Sequence, residues 1–116
     1  MENKKVYDLE ERTYLFAKHC RLLIQTLPKT ISNIEDGKQL VRSSGSVAAN
    51  YIEANEKLGD KDFKFRLKIS RKEAKESVLW LKLLRDINIK FESELTQLLN
   101  EAEELRKILS AIINKS

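Results

Sequence analysis

The segment Phe91–Asn114, FESELTQLLNEAEELRKILSAIIN, sets Phe91, Leu95, Leu98, Ala102, Leu105, Leu109 and Ile112 at alternating intervals of four and three residues. This is an a/d heptad seam, the pattern of a helix that packs along its whole length against other helices. Three more segments upstream carry a helical period. From about Val6 to Leu27, the residues Leu9, Thr13, Phe16, Ala17, Cys20, Leu23, Ile24 and Leu27 fall on one side, and Pro28 stops the run. The stretch PKTISNIEDG, Pro28–Gly37, reads as a connection in which Ser32, Asn33 and Asp36 are possible N-caps for a helix over 36–58. Gly59 reads as the glycine that ends that helix, and Asp60 as the cap of a third helix over 61–86, with the turn around Asn88 leading into the fourth, 91–114.

Short connections between long helices force neighbours to run antiparallel. The expected fold is therefore all-α, an up-down-up-down antiparallel four-helix bundle with helices at roughly 6–27, 36–58, 61–86 and 91–114. The chain has 116 residues, enough for one core and too few for two, so residues 1–116 are read as a single domain. Three glycines and one proline leave little material for β-turns, in keeping with the same class.

Cys20 is the only cysteine, so the chain forms no internal disulfide and lacks the ligands for a thiolate metal site. The opening MENKKVYDLEERTY has no apolar core of a signal peptide, and no apolar run long enough to span a bilayer occurs. The expectation is a cytoplasmic protein without membrane contact.

The third helix carries three faces. Phe63, Leu67, Ser70, Ala74, Val78 and Leu81 make the face that a bundle buries. A second apolar set, Phe65, Ile69, Leu79, Trp80, Leu83 and Ile87, lies roughly opposite, and one bundle does not bury both sides of a helix. A symmetric homo-oligomer is the natural cover for the second face, against the plain alternative of scattered exposed apolar side chains. Between the two, Lys64, Lys68, Arg71, Lys75 and Lys82 form a basic stripe about 27 Å long. The formal net charge is only +4, but it is polarised. Basic residues outnumber acidic ones over 57–75, while glutamates outnumber Arg106, Lys107 and Lys115 in the last helix. Such a stripe engages phosphates without regard to sequence, although many charge runs are simply solvated faces.

Nothing assembles into a catalytic set. His19, the single histidine, neighbours Cys20 in sequence, so on a helix the two point about 100° apart, with Cys20 toward the core. No phosphate-binding glycine loop and no histidine-pair zinc motif occurs. Glu53 and Glu56 could meet Glu73 or Glu76, but the di-iron bundles need Glu-x-x-His pairs that this chain does not have. The expectation is no enzyme, no cofactor, no metal and no small-molecule substrate.

The remaining unusual stretch is QLVRSSGSVAANYIEANE, Gln39–Glu56. On a helical wheel Leu40, Val41, Val47, Ala48, Tyr51, Ile52 and Ala54 form an apolar arc. Arg42, Ser43, Ser46, Ala49, Asn50 and Glu53 fill the other side. Small residues there let a neighbouring helix or subunit approach, and Arg42, Asn50 and Glu53 can supply directed hydrogen bonds, so these residues are read as fixing packing or assembly.

This stretch, together with KDFKFRLKISRKEAKESVLWLKLL, Lys61–Leu84, resembles the four-helix-bundle family encoded by intervening sequences in bacterial 23S rRNA genes, also labelled ribosomal-protein-like. The likeness lies in Arg42, Ser43, Ser46, Ala49, Asn50 and Glu53, in Lys61–Phe63, and in Lys72–Glu76 with Trp80 and Leu81. Many relatives read Glu-Gly where Glu53 is followed here by Ala54. More distantly, the chain is similar to the accessory bundle proteins of diversity-generating retroelements. The resemblance implies a ring-like homopentamer, no enzymatic activity and an association with nucleic acid.

Two functional readings follow. One is a non-catalytic oligomeric bundle that binds ribosomal or other structured RNA through the stripe. The other is a protein-interaction or scaffold module docking on an acidic partner, such as a nucleic-acid enzyme.

Overall fold

The computed structural model describes residues 8–56 and 58–116. The expected start of the first helix at Val6, and Lys57 in the basic segment, lie outside the described residues. Helix α1 is Leu9–Thr26, α2 is Ile31–Ala54, α3 is Asp60–Ile87 and α4 is Glu92–Lys115. A single 3-10 turn, Ile89–Phe91, joins α3 to α4.

Each boundary has a local cause. The Asp8 carboxylate accepts the Glu11 amide at 3.1 Å and caps α1, and Glu10 and Glu11 sit favourably at its positive end. Leu27 is extended because Pro28 follows it. α2 then starts a full turn earlier than the sequence pattern indicated. Its N-cap is Thr30, whose hydroxyl accepts the Asn33 amide at 3.1 Å, and not Ser32, Asn33 or Asp36. Pro28 has already turned the chain, so Thr30 is the first capping side chain available, and the supposed connection is the first turn of the helix. α2 also ends early, at Ala54 with Asn55 as its C-cap. Gly59 therefore does not close α2. It is the N-cap of α3 at φ 140°, a conformation that favours glycine, and Asp60 is already helical.

The four helices pack in cyclic order as an antiparallel bundle, with α2–α3 and α3–α4 the broad interfaces and α1–α4 the narrow one. One core runs the length, filled by Phe16, Leu40, Leu67, Leu81, Leu95 and Leu105 among others. Leu95, Ala102, Leu105 and Leu109 of the heptad seam are fully buried.

The α2–α3 interface is built from small residues. The Ser43 and Ser77 hydroxyls share a hydrogen bond at 2.8 Å, and the Ser70 hydroxyl donates to the Val47 carbonyl at 2.8 Å. All three serines are fully buried, each with its hydroxyl satisfied. Ser43 thus faces inward, although its polarity placed it on the outer side of the wheel. It follows Leu40 by three residues and precedes Val47 by four, so helix geometry puts it on the buried line with them. Arg21 ties α1 to α2 by donating to the Val41 carbonyl at 3.1 Å. It lies over Gly45, where a Cβ would stand 2.9 Å from its Nη2.

Candidate nucleic-acid interface

α3 presents its outer surface between α2 and α4. On the α4 side lie the stripe residues: Lys68, Lys75 and Lys82 are exposed, Lys64 and Arg71 partly so. Arg71 donates to the Ser110 hydroxyl of α4 at 3.3 Å, which anchors the stripe against that helix. Among the described residues no carboxylate lies within ion-pair distance of Lys64, Lys68, Lys75 or Lys82, whereas Arg42, Arg66, Arg85 and Arg106 all have acidic neighbours.

Three cations beside the stripe were not singled out from sequence. Lys61 and Lys72 are exposed on the adjoining arc of α3, on the side of the stripe away from α4. Lys107 is exposed on α4 one turn before Ser110, so the antiparallel packing brings it level with Lys75. A helix-by-helix reading carries no signal for Lys107, because its place depends on the register of α3 against α4. Lys82 stands apart, with Leu79 and Asp86 as its neighbours one turn away on either side.

The second apolar set divides along the helix. Leu79, Leu83 and Ile87 are exposed on the C-terminal half. Trp80 beside them is half-buried on the core, and its Nε1 is inaccessible and has no hydrogen-bond partner. Ile69 is half-buried, and Phe65 stands alone near the N-terminal end at 56% exposure. Asp62 Oδ2, Arg66 Nε and Glu73 Oε1 are also buried without a hydrogen bond. Arg66 Nε lies 3.5 Å from Asp62 Oδ1, a charge contact that is poorly directed as a hydrogen bond. Asp62, Arg66, Glu73 and Trp80 follow one another at four, seven and seven residues, so these unpaired atoms share one line of α3.

On α2, Arg42 reaches across to Glu76 at 2.8 Å and to Glu73 at 3.5 Å. Asn50 is turned back on its own helix, donating to the Ser46 carbonyl at 3.0 Å and to its hydroxyl at 2.9 Å. Ala49 and Glu53 are exposed. Among the described residues no group of three or more His, Cys, Asp or Glu is placed to hold a metal ion. His19 is exposed while Cys20 is buried at 0% exposure, and burial pushes the Cys20 thiol up to about 12. Among the described residues no helix is long and apolar enough to cross a membrane.

The class defined by these features is a one-domain antiparallel helical bundle with a cationic arc on one helix and an apolar strip beside it. The chain belongs to the 23S rRNA-intervening sequence protein family, whose family model matches residues 5–111. Among solved structures it is similar to a protein of unknown function from the S23 ribosomal protein family of Bacteroides thetaiotaomicron, determined at 1.70 Å. The two chains are 28% identical, the match covers 98% of this chain and 99% of that one, and the TM-score is 0.80. The search of curated proteins found no match.

Proposed function

We propose that the protein is a non-catalytic, self-associating bundle that binds structured RNA through Lys64, Lys68, Arg71 and Lys75. The observation that carries this reading is that, among the described residues, no carboxylate pairs with the stripe lysines, whereas the arginines are largely engaged. Surface cations left without carboxylates on one straight helix face are available to phosphates, and each contact releases a counterion. Self-association is supported by Leu79, Leu83 and Ile87, which form an exposed apolar strip over the partnerless Trp80 indole. A second copy covering this strip would set several cationic arcs side by side, and a ring of five copies, which the family resemblance implies, is the assembly we propose.

Binding of a ribosomal RNA fragment, followed by fluorescence anisotropy against salt concentration, tests the reading. A steep negative slope is expected, falling in magnitude by about one for each of these four cations replaced by alanine. A slope near zero or no binding refutes phosphate-driven RNA binding, and full binding by a Lys68→Glu, Arg71→Glu variant refutes its assignment to the stripe. Light scattering tests the second element: wild type should exceed the monomer mass and Leu83→Glu should lower it. A monomeric wild type removes self-association from the proposal. The docking of an acidic polypeptide on the same stripe is the rival outcome, read out as a protein partner co-purifying in place of RNA.

A further inference from the structure

Phe65 does not fit the apolar strip with which its sequence spacing groups it. Along α3 the residues that separate it from Leu79 include half-buried Ile69, exposed Lys72, and Glu73 and Glu76 held by Arg42. The distance between the two levels is about 21 Å. Its immediate surroundings are cationic instead. Lys61 and Lys68 lie one turn to either side, Lys64 is adjacent in sequence and Lys72 lies two turns on. The Arg66 guanidinium carbon is 5.9 Å from the Phe65 ring centroid, within cation–π range.

An exposed phenyl ring among five cations, of which only Arg66 has a carboxylate within ion-pair distance among the described residues, is poorly suited to an apolar subunit contact, since burying it would strip water from the four lysine charges. The same arrangement suits an unpaired nucleotide. A base stacks on the ring, and the phosphates on either side meet Lys61, Lys64, Lys68 and Lys72. Inside a duplex every base is stacked on both sides, so only its terminal pairs have a face to offer the ring.

We infer that Phe65 is a base-stacking residue and that the N-terminal half of α3 binds a single-stranded segment of RNA, a loop or an end, not a helix. The inference rests on the RNA-binding reading above and moves Phe65 from the subunit face to the nucleic-acid face. The strip of Leu79, Leu83 and Ile87 is left to the neighbouring copy, so the two activities occupy successive halves of one helix.

Substitutions that separate ring from bulk test it. Binding of a fluorescein-labelled oligouridylate of about ten nucleotides is measured for wild type, Phe65→Leu, Phe65→Tyr, Lys68→Ala and Lys82→Ala, and each variant is weighed by light scattering. Phe65→Leu keeps the apolar bulk and loses the π face. It should weaken binding by about tenfold or more without altering the salt slope, whereas Phe65→Tyr should bind like wild type. Lys68→Ala should lower the slope by about one, and Lys82→Ala should leave it unchanged. The mass of the assembly should be the same in all five. Equal affinity of Phe65→Leu and wild type, a smaller assembly in Phe65→Leu, or tighter binding of a blunt duplex than of the single strand overturns the inference and leaves RNA binding by the stripe intact. Failure of wild type to bind any RNA removes both.

Discussion

Asn33 and Asn88 exchange amide hydrogen bonds in both directions, each 2.8 Å long, across the end of the bundle where α1 turns into α2 and α3 into α4. Each carboxamide also satisfies a backbone carbonyl, Asn33 that of Pro28 at 2.9 Å and Asn88 that of Leu84 at 2.8 Å. Both residues are buried.

Replacing Asn88 with alanine strands the Asn33 amide and the Leu84 carbonyl away from water. The expected loss is about 2–4 kcal/mol in urea unfolding. Asn33→Leu and Asn88→Leu together should cost less than the sum of the two single changes, because neither then leaves a polar partner behind. Strict additivity would show that the pair acts as two independent groups.

The serine seam between α2 and α3 predicts a difference between removing a hydroxyl and adding volume. Ser77→Ala loses only the bonds to Ser43 and to the Glu73 carbonyl, for about 1 kcal/mol. Ser77→Leu forces a large side chain into fully buried space between two close helices and should cost at least about 3 kcal/mol. Similar melting temperatures for the two variants would mean that the helices can part without penalty.

Cys20 gives a pH dependence. Its thiol is held up to about 12 by burial, against 9.0 for an unperturbed cysteine, so the folded chain keeps a proton that the unfolded chain releases between those values. Stability should be insensitive to this group below pH 9.0 and should fall as pH rises toward 12, by up to about 1.4 kcal/mol per pH unit. Subtracting the profile of a Cys20→Ala variant isolates the effect from lysine and tyrosine titration. A flat difference curve over that window would contradict it, as would rapid reaction of the native thiol with a disulfide reagent at neutral pH.

The narrow α1–α4 interface is closed by a two-pronged ion pair, Arg12 to Glu101 at 2.7 Å and 2.9 Å, with both side chains about a third exposed. At that exposure solvent screens it, so Glu101→Gln should cost only about 1 kcal/mol globally. Its sharper effect is local. Amide hydrogen exchange in α1 should accelerate while α2 and α3 keep their protection, and a uniform change across all four helices would show that α1 does not open alone.

The heptad seam at Phe91–Asn114 and the proline and glycine punctuation carry the helix count, order and antiparallel sense. The placement of side chains was legible wherever it followed from apolar period, as at Leu67, Leu81 and Leu105. At Ser43 the packing role was legible from its small size but its full burial was not, because polarity and burial part company where two helices approach closely and hydroxyls pair across the gap. Asn33 read as a helix cap and Asn88 as a turn residue. Both have such local roles available, and nothing local records a partner 55 residues away. The candidate site shows the same division. Lys64, Lys68, Arg71 and Lys75 share a face by spacing alone, but Lys107 joins them only through packing, and the isolation of Phe65 from Leu79 depends on which intervening side chains stay exposed.

The bonds of Ser43 with Ser77 and of Ser70 with the Val47 carbonyl also fix the longitudinal alignment of two helices. A seam of leucines alone tolerates sliding by one turn, about 5.4 Å, since one leucine replaces another. A slide here would press serines against leucines and leave hydroxyls dry and unmatched, so the seam works as a vernier with a single setting. Every residue on the outer face of α3, cationic or apolar, inherits its height relative to α2 from that setting.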